Sequence, residues 1–307
     1  MALDGAFLFA VRQELSNLIG GRIDKIYQPS REEIIIAIRT KQGLSRVLMS
    51  SSASSARVHV TEAQVENPMT PPMFCMLLRK KLGGGRLAAI RQDGLERILY
   101  FDFECTNELG DPVTITIACE IMGKYSNIII MDQDKKIIDS IKRVNEDMSR
   151  ARLVLPGIMY ENPPRGNRIA FTEADDVLIR STIETLCDGM LSKALISSFE
   201  GISPVLAREW TYYASRSNEI QVSEVDKTIE DRLVFIISRT RDELKCGNCN
   251  FTVVSDKDNM MKDFSFIRLS QYGSLMTTKE LDSACSLLDY FYSQRDRMSR
   301  LKQRAND

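Results

Sequence analysis

Histidine is almost missing from this sequence: His59 is the only one in 307 residues. A Ser-His-Asp hydrolase would have to be built on it, yet the alternating string Arg57-Val-His-Val-Thr61 places it in a strand, where a structural or substrate-contact role fits better than a general base. Cysteine is scarce too. Seven residues, an odd number spread along the chain, make no disulfide framework. Cys246 and Cys249 form a CxxC pair, but a four-ligand zinc site lacks its second pair. A redox CxxC should open a helix after a strand, and this one follows a charged helical stretch. No metal, cofactor or catalytic residue is therefore expected. No apolar run approaches the ~20 residues that span a bilayer. The N-terminal MALDGAFLFAVRQEL has no basic stretch before its apolar patch and carries an acid within it, unlike a secretory signal. The expectation is a cytoplasmic protein with no membrane partner. With 16 Gly and 9 Pro, the chain is also too poor in both for low complexity.

What is present is an ordinary globular composition, 43% apolar and 27% charged, long enough for two domains. Net charge is −1 and slightly uneven: 23 Lys+Arg against 20 Asp+Glu up to Thr172, then 18 against 22 from Glu173 to Asp307. That asymmetry alone does not point to nucleic acid.

Phe7, Val11, Leu15, Leu18 and Ile19 predict a helix over 4–19, stopped by Gly20-Gly21. Strands are expected at 22–28 and 33–40 with a turn at Pro29-Ser30, then at 46–50 and 56–61. Pro71-Pro72 introduces a helix over 73–82 that Gly83-Gly84-Gly85 ends. Its stripe Met73–Leu78 reads as core. Further strands follow at 86–92, 97–104, 113–120, 126–132 and 136–142, and Pro156–Pro164 reads as a linker. After Thr172 the pattern turns helical: 175–186, 191–199, 204–215 with Trp210 in the core, and 223–245. A strand pair, 251–255 and 264–269, comes next. From about Thr278, Leu281, Cys285, Leu288 and Tyr292 follow four- and three-residue steps, as at the opening of a coiled coil or long helix in a fragment that stops without a cap. The fold class is α+β: an antiparallel β-rich domain over 1–172, a mainly helical domain with a small strand pair over 173–277, and a coiled-coil start over 278–307.

Four stretches carry possible chemistry. Arg79, Lys80, Lys81, Arg86 and Arg91 fall within thirteen residues that contain no acid and three glycines. Such a run suits phosphate contacts, and equally a solvated helix end that complements the helix dipole. Gly94-Leu95-Glu96-Arg97, between two strands, reads by itself as a hairpin exit, although strand alternation lets one of the charged pair face a groove. Gly123-Lys124-Tyr125-Ser126 makes a polar tip with phosphate-binding and stacking potential, without P-loop spacing. In Glu200-Gly201-Ile-Ser203-Pro204, a Gly turn and a Ser N-cap before Pro put helix amides where a phosphate can sit; the alternative is a hairpin that only packs.

Taken together, MALDG, GGRIDKIYQP (20–29), ENPMTPPMFCMLLRKKLGGG (66–85), GLERI (94–98), EIMGKYSNII (120–129), LPG (155–157), FEGISPVLARE (199–209) and the terminal FYSQRDRMSRLKQRA resemble the N-terminal half of the NFACT (RqcH/NEMF) family, also described as fibronectin-binding protein A-like. The resemblance covers essentially the whole chain. It implies an N-terminal domain with the fold of the formamidopyrimidine-DNA glycosylase N-terminal domain, a helix-two-turn-helix-like domain and a coiled coil. It implies a ribosome-associated quality-control factor that binds the large ribosomal subunit with stalled peptidyl-tRNA and recruits alanyl-tRNA for C-terminal tailing. The family's early aspartate falls on Asp4, and its Asp-Arg pair falls on Glu96 and Arg97, with Glu in place of Asp. These positions are tied to tRNA recruitment, and Arg79, Lys80, Lys81, Arg86, Lys124, Gly201 and Ser203 would face phosphates. The glycosylase relatives attack with an N-terminal proline; Ala2 stands there, so no enzyme is expected. Other readings are a fibronectin-binding, adhesin-like protein and a glycosylase-like nucleic-acid enzyme.

Overall fold

The computed structural model describes residues 3–149 and 151–306; Ala2 lies outside the described residues. By the density of its contacts the chain forms two compact units, one of residues 11–92 and 97–165, the other of residues 1–10, 93–96 and 166–307.

Residues 5–15 form helix α1 (Gly5–Leu15), followed by a 3-10 turn. The first unit is one antiparallel sheet of β1 (Arg22–Ser30), β2 (Glu33–Thr40), β3 (Gly43–Ser50), β4 (Arg57–Val60), β5 (Arg86–Arg91), β6 (Ile98–Thr106), β7 (Pro112–Glu120), β8 (Asn127–Met131) and β9 (Ile137–Ser140), in the order β4-β3-β2-β1-β5-β6-β7-β8-β9. The apolar runs Ile34–Ile38 and Ile128–Met131 are buried along their whole length, as expected of strands covered on both faces. The sheet curls so that β3 meets β8. Just past β9, Lys142 donates to the Ser51 carbonyl at 2.6 Å and pairs with Glu32 at 2.9 Å.

Between β4 and β5 lies α2 (Met73–Leu82). Its buried stripe is Phe74, Cys75, Leu78 and Leu82, and it sits on β1 through Cys75 N–H donating to Gln28 Oε1 at 3.1 Å. Met73 and Met76, expected in the core, are 84% and 51% exposed, because at helical spacing they fall on the opposite side from that stripe. The first hairpin also differs from expectation. Strand β1 runs through Pro29 to Ser30, where the register slips and no ladder donor is needed from proline.

The second unit contains β10 (Ile169–Ala170), α3 (Asp176–Glu184), α4 (Leu191–Ser198), β11 (Phe199–Glu200), α5 (Pro204–Ser215), α6 (Lys227–Cys246), β12 (Phe251–Ser255), β13 (Met261–Ser265), β14 (Thr277–Leu281) and α7 (Ala284–Asn306). Asp175, Ser203 and Asp226 cap α3, α5 and α6 with side-chain oxygens. Trp210 is buried edge-on against Phe171 and Phe199 and donates its Nε1–H to Thr240. Phe264 stands edge-on to Phe7 at 5.0 Å and to Phe291 at 4.8 Å. Strand β13 lies three residues earlier than the periodicity suggests, since Asn259 takes a left-handed conformation and closes a tight hairpin with β12. The segment from Thr278 does not begin as a helix: Thr277–Leu281 pair with Phe251–Ser255. The β-branched threonines favour that ladder. The helix starts only after Ser283, whose hydroxyl accepts from Ser286 N–H. Among the described residues no helix is long and apolar enough to cross a membrane.

Candidate functional site

In the unit that contains residues 166–307, Asp4, Gly201 and Ser203 come together. The Asp4 carboxylate is only 6% exposed. Its Oδ1 accepts Phe7 N–H at 2.7 Å, capping α1, and its Oδ2 accepts Ser203 N–H at 2.8 Å. Ser203 in turn caps Leu206 N–H through its hydroxyl. The amide that the sequence suggested for a phosphate is thus held by a carboxylate of the chain itself. Gly201, at φ +71°, gives its carbonyl to Ala6 N–H at 2.9 Å. A side chain on Gly201 would meet Leu95 Cβ at 2.4 Å, and one on Gly5 would meet the Leu95 carbonyl oxygen at 1.6 Å. Leu95 N–H donates to Glu200 Oε2 at 3.1 Å, and Glu200 is placed by the parallel pairing of β10 with β11. Glu200 and Gly5 fall in stretches that the sequence marks, but the sequence gives neither a role of its own. The Glu-Gly pair at 200–201, an acid ending an apolar helix, was the available signal. Glu96 closes its turn through Glu96 N–H to the Asp93 carbonyl.

In the sheet unit the basic residues do not form one patch. Arg97 is exposed, and its carbonyl accepts Ile121 N–H, which sets it at the end of the sheet that carries the tip after β7. At that tip Gly123 has a positive φ, and Lys124 Nζ lies over the exposed Tyr125 ring at 4.9 Å. Lys80 and Lys81 instead line a groove of about 500 Å³ with Glu108, Asp132 and Asp134, next to the far end of β6. The nine residues of β6 separate the two places by roughly 30 Å.

Most of the run is also paired. Lys80 binds Glu108 at 2.7 Å, a hydrogen bond that raises the lysine pKa and lowers that of the acid. Arg86 binds Glu104. Arg91 binds Asp102 at 2.6 Å; burial works to raise the Asp102 carboxyl, but hydrogen bonds from Arg91 and Thr116 outweigh it and hold it below its usual range. Arg79 donates Nε–H to the Ile26 carbonyl at 2.9 Å. The sequence hides the acidic partners because they lie 11 to 28 residues along the chain, on β6 and in the turn that follows it.

The same unit holds a buried ionic cluster not singled out in the sequence. Arg152 grips Glu120 with two bonds, Nη1 to Oε1 at 2.9 Å and Nη2 to Oε2 at 2.6 Å. Tyr160 donates its hydroxyl to Glu120 Oε2 at 2.9 Å, and the guanidinium lies 5.0 Å from the Tyr160 ring centroid. Burial disfavours the Arg152 charge, yet the hydrogen bonds and charge of Glu120 hold it more firmly protonated than usual. Burial, with the charge of Glu120, pushes the Tyr160 hydroxyl up. This cluster ties residues 152–161 to the end of β7, three residues before Gly123.

With this geometry in hand, the chain was compared with known proteins. The family described as "NFACT N-terminal and middle domains" matches residues 4–307. "Rqc2 homolog RqcH" of Bacillus subtilis (strain 168) is 35% identical over 100% of this chain and 51% of that protein. The protein of the same name from Streptococcus suis is 34% identical, with the same coverage. The chain thus spans about half the length of these curated relatives. Human "Ribosome quality control complex subunit NEMF" is 27% identical over 44% of this chain and 12% of its own length. Among solved structures, the fibrinogen binding protein from Staphylococcus aureus superposes with a TM-score of 0.77 at 30% identity, covering 95% of this chain and 99% of the other. The N-terminal part of the fibronectin/fibrinogen-binding protein from Streptococcus suis also gives 0.77, at 28% identity and with the same coverage.

Proposed function

Because the chain belongs to the NFACT family, we propose that it is the tRNA-engaging part of a cytoplasmic ribosome quality-control factor. In this reading the whole protein binds the large ribosomal subunit bearing stalled peptidyl-tRNA. It recruits alanyl-tRNA so that the nascent chain is extended at its C-terminus. The present span supplies tRNA contacts and does no covalent chemistry, since peptide transfer belongs to the ribosome. The sheet unit takes the glycosylase-like fold of the family without its reaction, and α7 supplies the first stretch of a coiled coil.

The observation that carries the reading is the exposed cationic end of the sheet, where Arg97 stands at the base of the Lys124–Tyr125 tip. Arg97 would make a charge-assisted bond to a phosphate or base edge. Asp4, with both oxygens committed to backbone amides, would act by fixing the α5 N-terminus and not by touching RNA. The pairs of Lys80 and Arg86 are about half exposed or more, and pairs so open to water and salt contribute little. Phosphates can therefore replace the carboxylates at little cost.

The test is binding of this chain to labelled deacylated alanine tRNA, beside a non-cognate tRNA and a DNA duplex of equal charge. Arg97→Ala is expected to weaken alanine tRNA binding by roughly 1–3 kcal/mol, and Lys124→Ala to reduce the salt slope by about 1. Equal affinity for all three nucleic acids, unchanged by Arg97→Ala, would sink the assignment. A second reading, binding of fibronectin or fibrinogen, follows from the names of the two similar solved structures. Immobilised fibronectin in the same assay decides it: saturable binding that tRNA does not compete away would favour this reading.

A further inference from the structure

On α5 and α6 the structure presents a surface that shares no residue with those assigned to tRNA above. Phe235, in the middle of α6, is 54% exposed. Its ring stacks on Tyr213 of α5, with centroids 6.1 Å apart and planes 19° from parallel. Arg216 places its guanidinium 5.7 Å from the centre of the Tyr213 ring. Arg216 is the left-handed residue that ends α5. Arg232, one turn before Phe235, donates to the Ala214 carbonyl at 3.3 Å. Arg239, one turn after it, is exposed and binds Glu243 at 2.8 Å.

The nearby acids are turned elsewhere. Asp231 is held by Arg180, Asp242 by Arg241, and Glu219 takes the amide and hydroxyl of Ser192. An exposed Phe235 stacked on a half-buried Tyr213 is therefore flanked by three arginines, with Glu243 as the carboxylate in contact with one of them. Arg216 and Arg232 are explained in part by the carbonyls that end α5, whose dipole favours cations. The exposed face of Phe235 has no such explanation. A near-parallel aromatic pair with an open face can continue its stack with a nucleobase, and flanking guanidinium groups can hold the backbone phosphates on either side. Bases inside a duplex are already stacked and cannot do this.

We propose that the Phe235–Tyr213 platform, with Arg216, Arg232 and Arg239, binds an unpaired segment of RNA. The surface is a second nucleic-acid contact and does not depend on Arg97 or Lys124.

The experiment measures the affinity of this chain for labelled single-stranded oligoadenylate and for an RNA duplex of equal length. The proteins are wild type, Phe235→Ala, Phe235→Trp, Arg239→Gln and Arg97→Ala, and the melting of each is followed in parallel. Phe235→Ala is expected to weaken the single strand about tenfold, the order given by loss of one stacked base. Phe235→Trp should keep the affinity, Arg239→Gln should lower it with a shallower salt dependence, and the duplex should be indifferent to Phe235. Phe235 is exposed, so these variants should melt with the parent. Wild-type preference for the duplex, or a single-strand affinity unmoved by Phe235→Ala, overturns the proposal. Arg97→Ala keeps the two readings apart. The same variants are titrated with labelled alanine tRNA and a non-cognate tRNA: loss of tRNA selectivity in Arg97→Ala with intact oligoadenylate binding supports two separate contacts, and loss of oligoadenylate binding in Arg97→Ala overturns the independence of this one.

Discussion

Arg152→Ala is expected to destabilise the sheet unit by about 3–5 kcal/mol, the usual cost of stranding one partner of a buried ion pair. The Glu120 side chain is 1% exposed and Arg152 only 14%. Truncating the arginine leaves a carboxylate buried with the Tyr160 hydroxyl as its remaining side-chain donor. It also removes the bond from Arg152 Nε to the Glu161 carbonyl and the contact with the Tyr160 ring. Glu120→Gln should cost less, about 1–3 kcal/mol, because the amide oxygen still accepts one guanidinium N–H and the charge left behind, on Arg152, is the more exposed of the two and keeps its bond to the Glu161 carbonyl. The double change Glu120→Leu with Arg152→Met should recover most of the loss, since an apolar pair of similar size can replace an ion pair. With two compact units, a single melting curve is a poor measure. Amide hydrogen exchange over residues 117–121 and 152–161 is the better one. Protection in Arg152→Ala within about 1 kcal/mol of the parent would mean that the pair contributes little in solution.

The second large effect is steric. Gly5→Ala would set a methyl group 1.6 Å from the Leu95 carbonyl oxygen, and 2.6 Å from its carbon. Neither is a flexible side-chain end, so the backbone has to move, at a cost of about 3 kcal/mol or more. Gly201→Ala adds a left-handed backbone, roughly 1–2 kcal/mol, to a 2.4 Å contact with Leu95 Cβ. Gly110→Ala is the control: it has φ +89° with nothing within 4 Å, so only the backbone term remains. Asp4→Asn offers a graded comparison, because Oδ1 can still cap Phe7 N–H while the new amide cannot accept from Ser203 N–H. Denaturant midpoints should rank Gly110→Ala mildest, then Asp4→Asn, then Gly5→Ala. If Gly5→Ala matched Gly110→Ala, the close approach of residues 5, 95 and 201 would be wrong.

How far such features could be read in the sequence depends on their range. Helix α2 has the bounds that Pro72 and Gly83 announce, and β2 and β12 have those expected of β-branched runs. These are local signals. Thr277–Leu281 failed because a polar edge strand offers no alternation, and Leu281 happens to stand four residues before Cys285 on the helix that follows. Pro29 misled because proline marks a turn unless it sits at a slip in register. For the candidate site the residue types were visible and their partners were not. Asp4 reads only as an acid within an apolar patch until Ser203 is set beside it, and the basic run reads as unopposed until Asp102 and Glu104 of β6 and Glu108 of the turn after it arrive. The Arg152–Glu120 bond joins positions 32 apart that no periodicity connects.

The bond between Asp4 and Ser203 spans 199 residues. Translation adds about 5–20 residues per second, so the Asp4 carboxylate waits on the order of 10–40 s before its donor, the Ser203 amide, is made. Throughout that interval Phe7, destined for a buried place beside Phe264, has nowhere to hide. Residues 11–165 can meanwhile be completed, while the segment around Asp4 stays open to chaperones, proteases and other nascent chains. The segment around Asp4 is thus made well before the residues that secure it.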